Sequence, residues 1–150
     1  MAKYFVYFSL TGNGDYLASV LKEKGYEPVK IEMVKEIKKV GFFTILSYGG
    51  RAMFGKKENL KELQIEFKPE DEVIIGTPIW NDRLSTPILT ILSEKEFNKE
   101  TTKFIYYPAG ETAKKVYQQV AKMGYKQEGV IISYPLKKKE EAKRIIKDTF

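Results

Sequence analysis

Hydrophobic and polar positions follow two rhythms along this chain. Lys3-Tyr4-Phe5-Val6-Tyr7-Phe8 is an almost unbroken aromatic and β-branched run, the pattern of a strand buried on both faces. Leu17, Val20 and Leu21 follow at helical spacing, and Lys24-Gly25 predicts the stop of that helix. Glu27 to Met33 alternates like an edge strand, with Pro28 at its start, where a missing N–H is tolerated. Leu63 to Phe67 reads as a short extended piece. Glu72-Val73-Ile74-Ile75-Gly76 is the clearest inner strand, and an irregular stretch, Thr77 to Arg83, follows it. Pro87 sits in the first turn of a helix whose inner side carries Ile88, Leu89, Ile91 and Leu92. Lys103 to Tyr107 predicts a strand broken by Pro108-Ala109-Gly110. Ala113, Val116, Val120 and Met123 place a helix over Thr112 to Met123, stopped by Gly124. Gly129 to Tyr134 predicts the last strand. Leu136 to Lys147 predicts the closing helix, with Ala142, Ile145 and Ile146 inward.

Strands alternate with helices throughout, which predicts an α/β three-layer sandwich around a parallel, five-stranded sheet. No repeat, low-complexity linker or composition break divides the chain, so residues 1–150 are expected to form a single domain. One segment breaks the rhythm. From Gly41 to Gly55, Phe42, Phe43, Ile45, Leu46, Tyr48, Met53 and Phe54 are apolar on nearly every side, around Gly49-Gly50. A helix of that kind is expected to be buried on the sheet. The alternative is a lid or dimer contact beside a ligand.

Composition narrows the chemistry. The chain is 43% apolar without a long apolar run, which predicts a globular protein with no membrane span. The N-terminus enters a strand directly, without a signal-peptide pattern, so a cytoplasmic location is expected. The chain has no Cys and no His, which removes thiolate metal sites, cysteine nucleophiles, imidazole acid–base chemistry and Ser-His-Asp triads. The net charge of +6 suits nucleic acid, an anionic surface or an acidic protein. The lysines are spread and mixed with Glu, which reads as a solvated surface without a nucleic-acid role.

Two stretches carry candidate chemistry. Ser9-Leu10-Thr11-Gly12-Asn13-Gly14 joins the first strand to the first helix. Such a turn gathers free backbone N–H groups at the positive end of a helix dipole, where an anion is favoured, and Ser9 and Thr11 add hydroxyl donors. It is no Walker loop, because no Lys-Ser or Lys-Thr pair closes it. It is no dinucleotide fingerprint, because Leu17 holds the third glycine position. A short uncharged loop of this kind suits one terminal phosphate; the alternative is a plain βα turn. The second stretch, Thr77 to Arg83, holds the only Trp of the chain, Trp80. There it is a candidate platform for a flat ligand, or a cover for the sheet end. Tyr107-Pro108-Ala109-Gly110-Glu111 would deliver a third loop to the same end of the sheet.

Ser9-Leu10-Thr11-Gly12-Asn13-Gly14 resembles the phosphate loop of the flavodoxin family, Ser/Thr-x-Thr-Gly-Asn-Thr, with Gly14 in place of the final Thr. Gly76-Thr77-Pro78-Ile79-Trp80 is similar to the Gly-x-Pro-x-Trp that ends the third strand of short-chain flavodoxin-like proteins. The resemblance implies sheet order 2-1-3-4-5 and a bound flavin mononucleotide (FMN). It implies FMN contacts from Ser9, Leu10, Thr11, Gly12, Asn13 and Gly14 at the phosphate. Around the isoalloxazine ring it implies contacts from Thr77, Pro78, Ile79, Trp80, Asn81, Asp82, Pro108, Ala109 and Gly110. Where many relatives carry a Gly just after the Trp, this chain has Asn81 and Asp82, which tolerate positive φ better than most side chains.

The implied function is electron transfer between redox partner proteins, acidic ones by charge, as a monomer or weak dimer. No catalytic side chain is needed, because the flavin carries the electrons. Many flavodoxins are acidic, so a basic chain is expected to hold the reduced, anionic flavin more favourably. Two alternatives stay open. One is an NAD(P)H-dependent quinone or flavin reductase, with Arg51, Lys56, Lys57 or Arg83 gripping nicotinamide phosphates. The other is a flavin-free binding module of the same shape.

Overall fold

The computed structural model describes residues 1–38, 40–109 and 113–150. At its centre β1 (Lys3–Tyr7) lies between β2 (Glu27–Lys30) and β3 (Glu72–Trp80), all parallel. β3 pairs in parallel with β5 (Lys103–Pro108), and β5 with the short β6 (Val130–Ile131). The path is β2-β1-β3-β5-β6. This is the predicted five-strand order with one strand added: β4 (Arg83–Leu84), which folds back antiparallel on the end of β3.

Each central strand is buried on both sides, as its unbroken apolar run predicts. Val6, Ile75 and Phe104 belong to one core layer, with Leu84, Ile88, Val116 and Val120. Phe5, Ile74 and Ile105 belong to the opposite layer, with Leu17, Leu21, Ala142 and Ile146. Neighbouring residues of a strand thus feed opposite cores, the period-two geometry of a sheet. Helices α3 (Thr86–Glu94) and α4 (Lys114–Lys122) cover the first layer. Helices α1 (Asn13–Glu23) and α5 (Lys139–Thr149) cover the second. Gly25 ends α1 at φ 88°, with the Gly25 and Tyr26 N–H groups returning to the Lys22 and Leu21 carbonyls. No helix among the described residues is long and apolar enough to cross a membrane.

The structure departs from the sequence reading in four places. The stretch after Gly76 is regular, not irregular: β3 runs on to Trp80 and turns through Asn81 and Asp82, at φ 51° and 57°, into β4. Two consecutive positive φ values mark the turn that matches hairpin twist. Pro78 is tolerated inside β3 because β1 stops pairing at Gly76, so no β1 carbonyl awaits its missing N–H. Second, the Gly41 to Gly55 segment does form a helix, α2 (Phe42–Met53), but only Ala52 of it is buried. The first core layer is already covered by α3 and α4, so α2 lies against the ends of β3 and β4 and against α3. Third, β6 spans two residues rather than Gly129 to Tyr134, and α5 starts at Lys139 rather than Leu136. Fourth, Leu63, Ile65 and Phe67 alternate with exposed neighbours but join no sheet. Thr112, placed at a helix start by the sequence, lies outside the described residues.

Candidate functional site

The loops after β1, β3 and β5 meet at the carboxyl end of the sheet, on the strands where chain order reverses. Gly12 is the N-cap of α1 at φ 91°, a left-handed conformation that favours glycine. Asn13 and Gly14 already belong to the first helical turn. Ser9 Oγ accepts hydrogen bonds from the N–H groups of Gly14 (3.1 Å) and Asp15 (3.3 Å). It therefore holds the first turn of α1 onto the strand end. Asn13 Nδ2 donates to Thr11 Oγ1 (3.3 Å), and Asn13 Oδ1 accepts from the Leu136 N–H (3.2 Å). The loop is thus fastened from a segment 123 residues away.

Gly14 is where the loop departs from the flavodoxin-like pattern, and its surroundings explain why. A Cβ there would lie 2.7 Å from Tyr107 Oη and 2.9 Å from both Ser9 Cβ and Tyr7 Cδ2. The Tyr107 hydroxyl donates to the Phe8 carbonyl directly beneath the loop. Burial pushes the Tyr107 phenol well above its ordinary pKa, so it stays a neutral donor. The Tyr7 hydroxyl donates to Asp15 Oδ1 (3.1 Å), which also meets Lys30 Nζ at 2.9 Å. Burial, then the nearby Asp15 charge, raises the Tyr7 phenol too. Lys30 offsets the Asp15 carboxylate beside the loop.

A cleft of about 230 Å³ opens above these loops. From the first loop Leu10, Thr11 and Asn13 line it. From the β3 hairpin come Pro78, Ile79, Trp80 and Asn81, and from the β5 end Ala109. The Trp80 ring is fixed edge-to-face by Phe8, at 5.7 Å and 88°, and by Tyr48 of α2, at 5.3 Å and 60°. The other predicted residues among those described sit near the cleft but do not line it. Ser9, Gly12 and Gly14 shape the loop from below. Thr77 is fully buried, with its hydroxyl spent on the Pro78 carbonyl (2.7 Å) and Ser85 Oγ (3.0 Å). Pro108 is buried at the end of β5, opposite Ile79. Asp82 Oδ2 accepts from the Lys115 N–H (3.4 Å), so it caps α4 across the hairpin, while its Oδ1 is buried with no partner among the described residues. Gly110 lies outside the described residues.

One whole wall comes from Val40 and the Gly41 to Gly55 segment, which the sequence reading placed beside a ligand only as an alternative and gave no site residues. Val40, Thr44, Ile45, Tyr48 and Gly49 line the side of the cleft facing the β3 hairpin, and Tyr107 lies at its floor. The only sequence signal was the Gly49-Gly50 pair: a Cβ at Gly49 would sit 3.8 Å from Asn81 Cβ, so helix and hairpin approach closely there. Of the cations considered for a phosphate grip, Arg51 is held by Glu58 through two bonds of 2.8 and 3.0 Å. Glu58 also accepts from the Thr86 hydroxyl (3.0 Å). Arg83 Nη1 donates to the Asn81 carbonyl (3.2 Å).

No protein-family model matches the chain, and no curated protein matches it by sequence. Solved structures do match it in shape. A provisionally named flavoprotein of Bacteroides uniformis superposes with a TM-score of 0.73 at 16% identity, covering 97% of each chain. Another, from Bacteroides eggerthii, gives 0.69 at 20% identity over 99% of this chain and 97% of its own. A flavoprotein of Lactobacillus acidophilus, solved in complex with FMN, gives 0.61 at 14% identity over 91% and 97%. At these identities the likeness establishes the fold: a flavodoxin-like three-layer α/β sandwich.

Proposed function

We propose that this protein binds FMN in the cleft and passes electrons between partner proteins. The observation that carries the reading is a juxtaposition. An uncharged loop at the N-terminus of α1 and the only Trp of the chain open into one cleft. FMN needs anion donors at one end and a flat apolar slot at the other. The hydroxyl of Thr11, the amide of Asn13 and the N-terminal turn of α1 suit the first need. Trp80, Tyr48 and Pro78 suit the second. That a Lactobacillus protein of the same fold was solved with FMN supports the reading.

When bound, FMN supplies one- and two-electron chemistry that no side chain of this protein offers. The chain's own part is placement and insulation. Trp80 and Tyr48 keep water from the apolar side of the cleft. Asn81 lines the cleft beside Trp80, and with Asp82, both already at positive φ, it forms the turn that places the Trp80 end of β3 there. Tyr107 stays protonated and braces the phosphate loop from below. The surface excess of positive charge favours acidic protein partners.

The reductase alternative loses one of its cations, since Arg51 is tied to Glu58. Two measurements on the purified protein discriminate the readings. Added FMN should shift its visible absorption spectrum on binding, and NADPH should not be consumed when a quinone is supplied. Rapid NADPH oxidation would favour the enzyme, and an unchanged FMN spectrum the flavin-free module.

A further inference from the structure

We infer that the outward face of α2 is the contact surface of a two-fold dimer of this chain. The helix has two faces. Thr44, Ile45, Tyr48, Gly49 and Ala52 point to the cleft and the fold. Phe43, Leu46, Gly50, Met53 and Phe54 recur at three- and four-residue steps on the other side, with the Phe42 ring edge-on to Phe43 at 5.7 Å. That side faces solvent: Phe42 is 70% exposed, Phe43 83% and Phe54 74%. With a phenylalanine side chain at about 200 Å², these three alone leave on the order of 450 Å² of apolar surface uncovered. Leu46 and Met53, also exposed on this side, enlarge the patch. It reaches the upper part of the roughly 300–600 Å² range of the largest patches on monomers, which are often functional. It approaches the roughly 800 Å² per partner of a standard interface.

Three observations select a second copy as the occupant. The only charged residue of the helix is Arg51, already neutralised by Glu58, so two copies of the helix crossing at its middle bring no unpaired like charges together; exposed Lys56 and Lys57 lie beyond its C-terminal end. A helix that lies on lipid carries several Lys or Arg along its polar face, and this one does not. Gly50 sits mid-stripe with nothing within 4 Å of a built Cβ, an open notch where a second helix can cross closely. A patch that packs on itself in this way is what a two-fold interface requires. Because exposed Val40 and Ile45 also line the cleft, the partner copy would close the cleft mouth on its apolar side.

Sedimentation equilibrium on the full chain tests the inference. A dimer is expected in the micromolar range, and Leu46→Glu should weaken it at least tenfold while the thermal melt of the fold stays cooperative. The chain has no cysteine, so Gly50→Cys provides a clean cross-link. Mild oxidation should trap covalent dimer, while a cysteine at exposed Lys143 on α5 should not. A chain that is monomeric at 100 μM, roughly the weakest association that matters here, overturns the inference. So does a dimer indifferent to Leu46→Glu, or one that fails to cross-link at position 50. Binding of the monomer to anionic phosphatidylserine vesicles, lost in Leu46→Glu, would overturn it in favour of a lipid surface.

Discussion

At position 14 the chain places a glycine where a hydroxyl donor would serve an anion. The neighbours decide the matter: Tyr7, Ser9 and Tyr107 fill the space that any side chain would need. Gly14→Thr is therefore expected to destabilise the fold by about 1–3 kcal/mol, the usual range for an overpacked site. Removing the obstructing hydroxyl should recover part of that loss. Urea unfolding of Gly14→Thr, Tyr107→Phe and the double variant checks it; strictly additive losses would show that Tyr107 Oη is not what excludes the side chain. The loop was readable as a phosphate candidate because its signal is local, six consecutive residues. The reason for Gly14 was not readable, because Tyr107 lies 93 positions further along the chain and reaches the loop only through the pairing of β5 with β3.

Among the elements, β1 and β3 stand where their apolar runs put them, since a strand buried on both faces announces itself in sequence. The hairpin after β3 was harder to see. Pro78 argues against a strand, and only the end of β1 pairing at Gly76 makes it acceptable. α2 was misjudged for a related reason. Its composition predicts burial, but whether a face of the sheet is free to receive it depends on α3 and α4, which lie later in the chain.

The start of β3 carries a pH-dependent tie of its own. The Asp71 carboxylate accepts from the Lys68 N–H (2.8 Å) and the Ala2 N–H (2.9 Å), fastening the N-terminal residues to the turn before β3. The Lys68 bond and then the Ala2 bond hold its pKa below the ordinary value. Between the folded and unfolded values the unfolded chain binds the extra proton, so stability rises with pH there. The contribution is present above the unfolded value of about 4 and is lost as pH falls through the folded one. Urea midpoints measured from pH 6 down to pH 2.5 should fall more steeply in the native chain than in Asp71→Asn. Parallel profiles would refute this role.

For the molecule as a whole, the fold was readable from alternating strand and helix patterns, because a parallel sheet forces that order on the chain. How the cleft is walled was legible only as an alternative, a lid beside a ligand, because α2 contributes to it from an unpaired stretch between β2 and β3. The excess of 26 Lys and Arg over 20 Asp and Glu acts at this scale too. If FMN binds, a positive surface favours the reduced, anionic cofactor. The low-potential couple is then expected to be less negative than in acidic proteins of the same fold. The difference should shrink as added salt screens the surface. Spectroelectrochemical titration at two ionic strengths measures it, and a couple as negative as theirs would refute the charge argument.

Titrating FMN into the protein while following Trp80 fluorescence tests the central claim most directly. The expected result is saturable quenching at one FMN per chain, with binding heat in parallel. Unchanged fluorescence and no heat, from a folded protein in excess FMN, would contradict it.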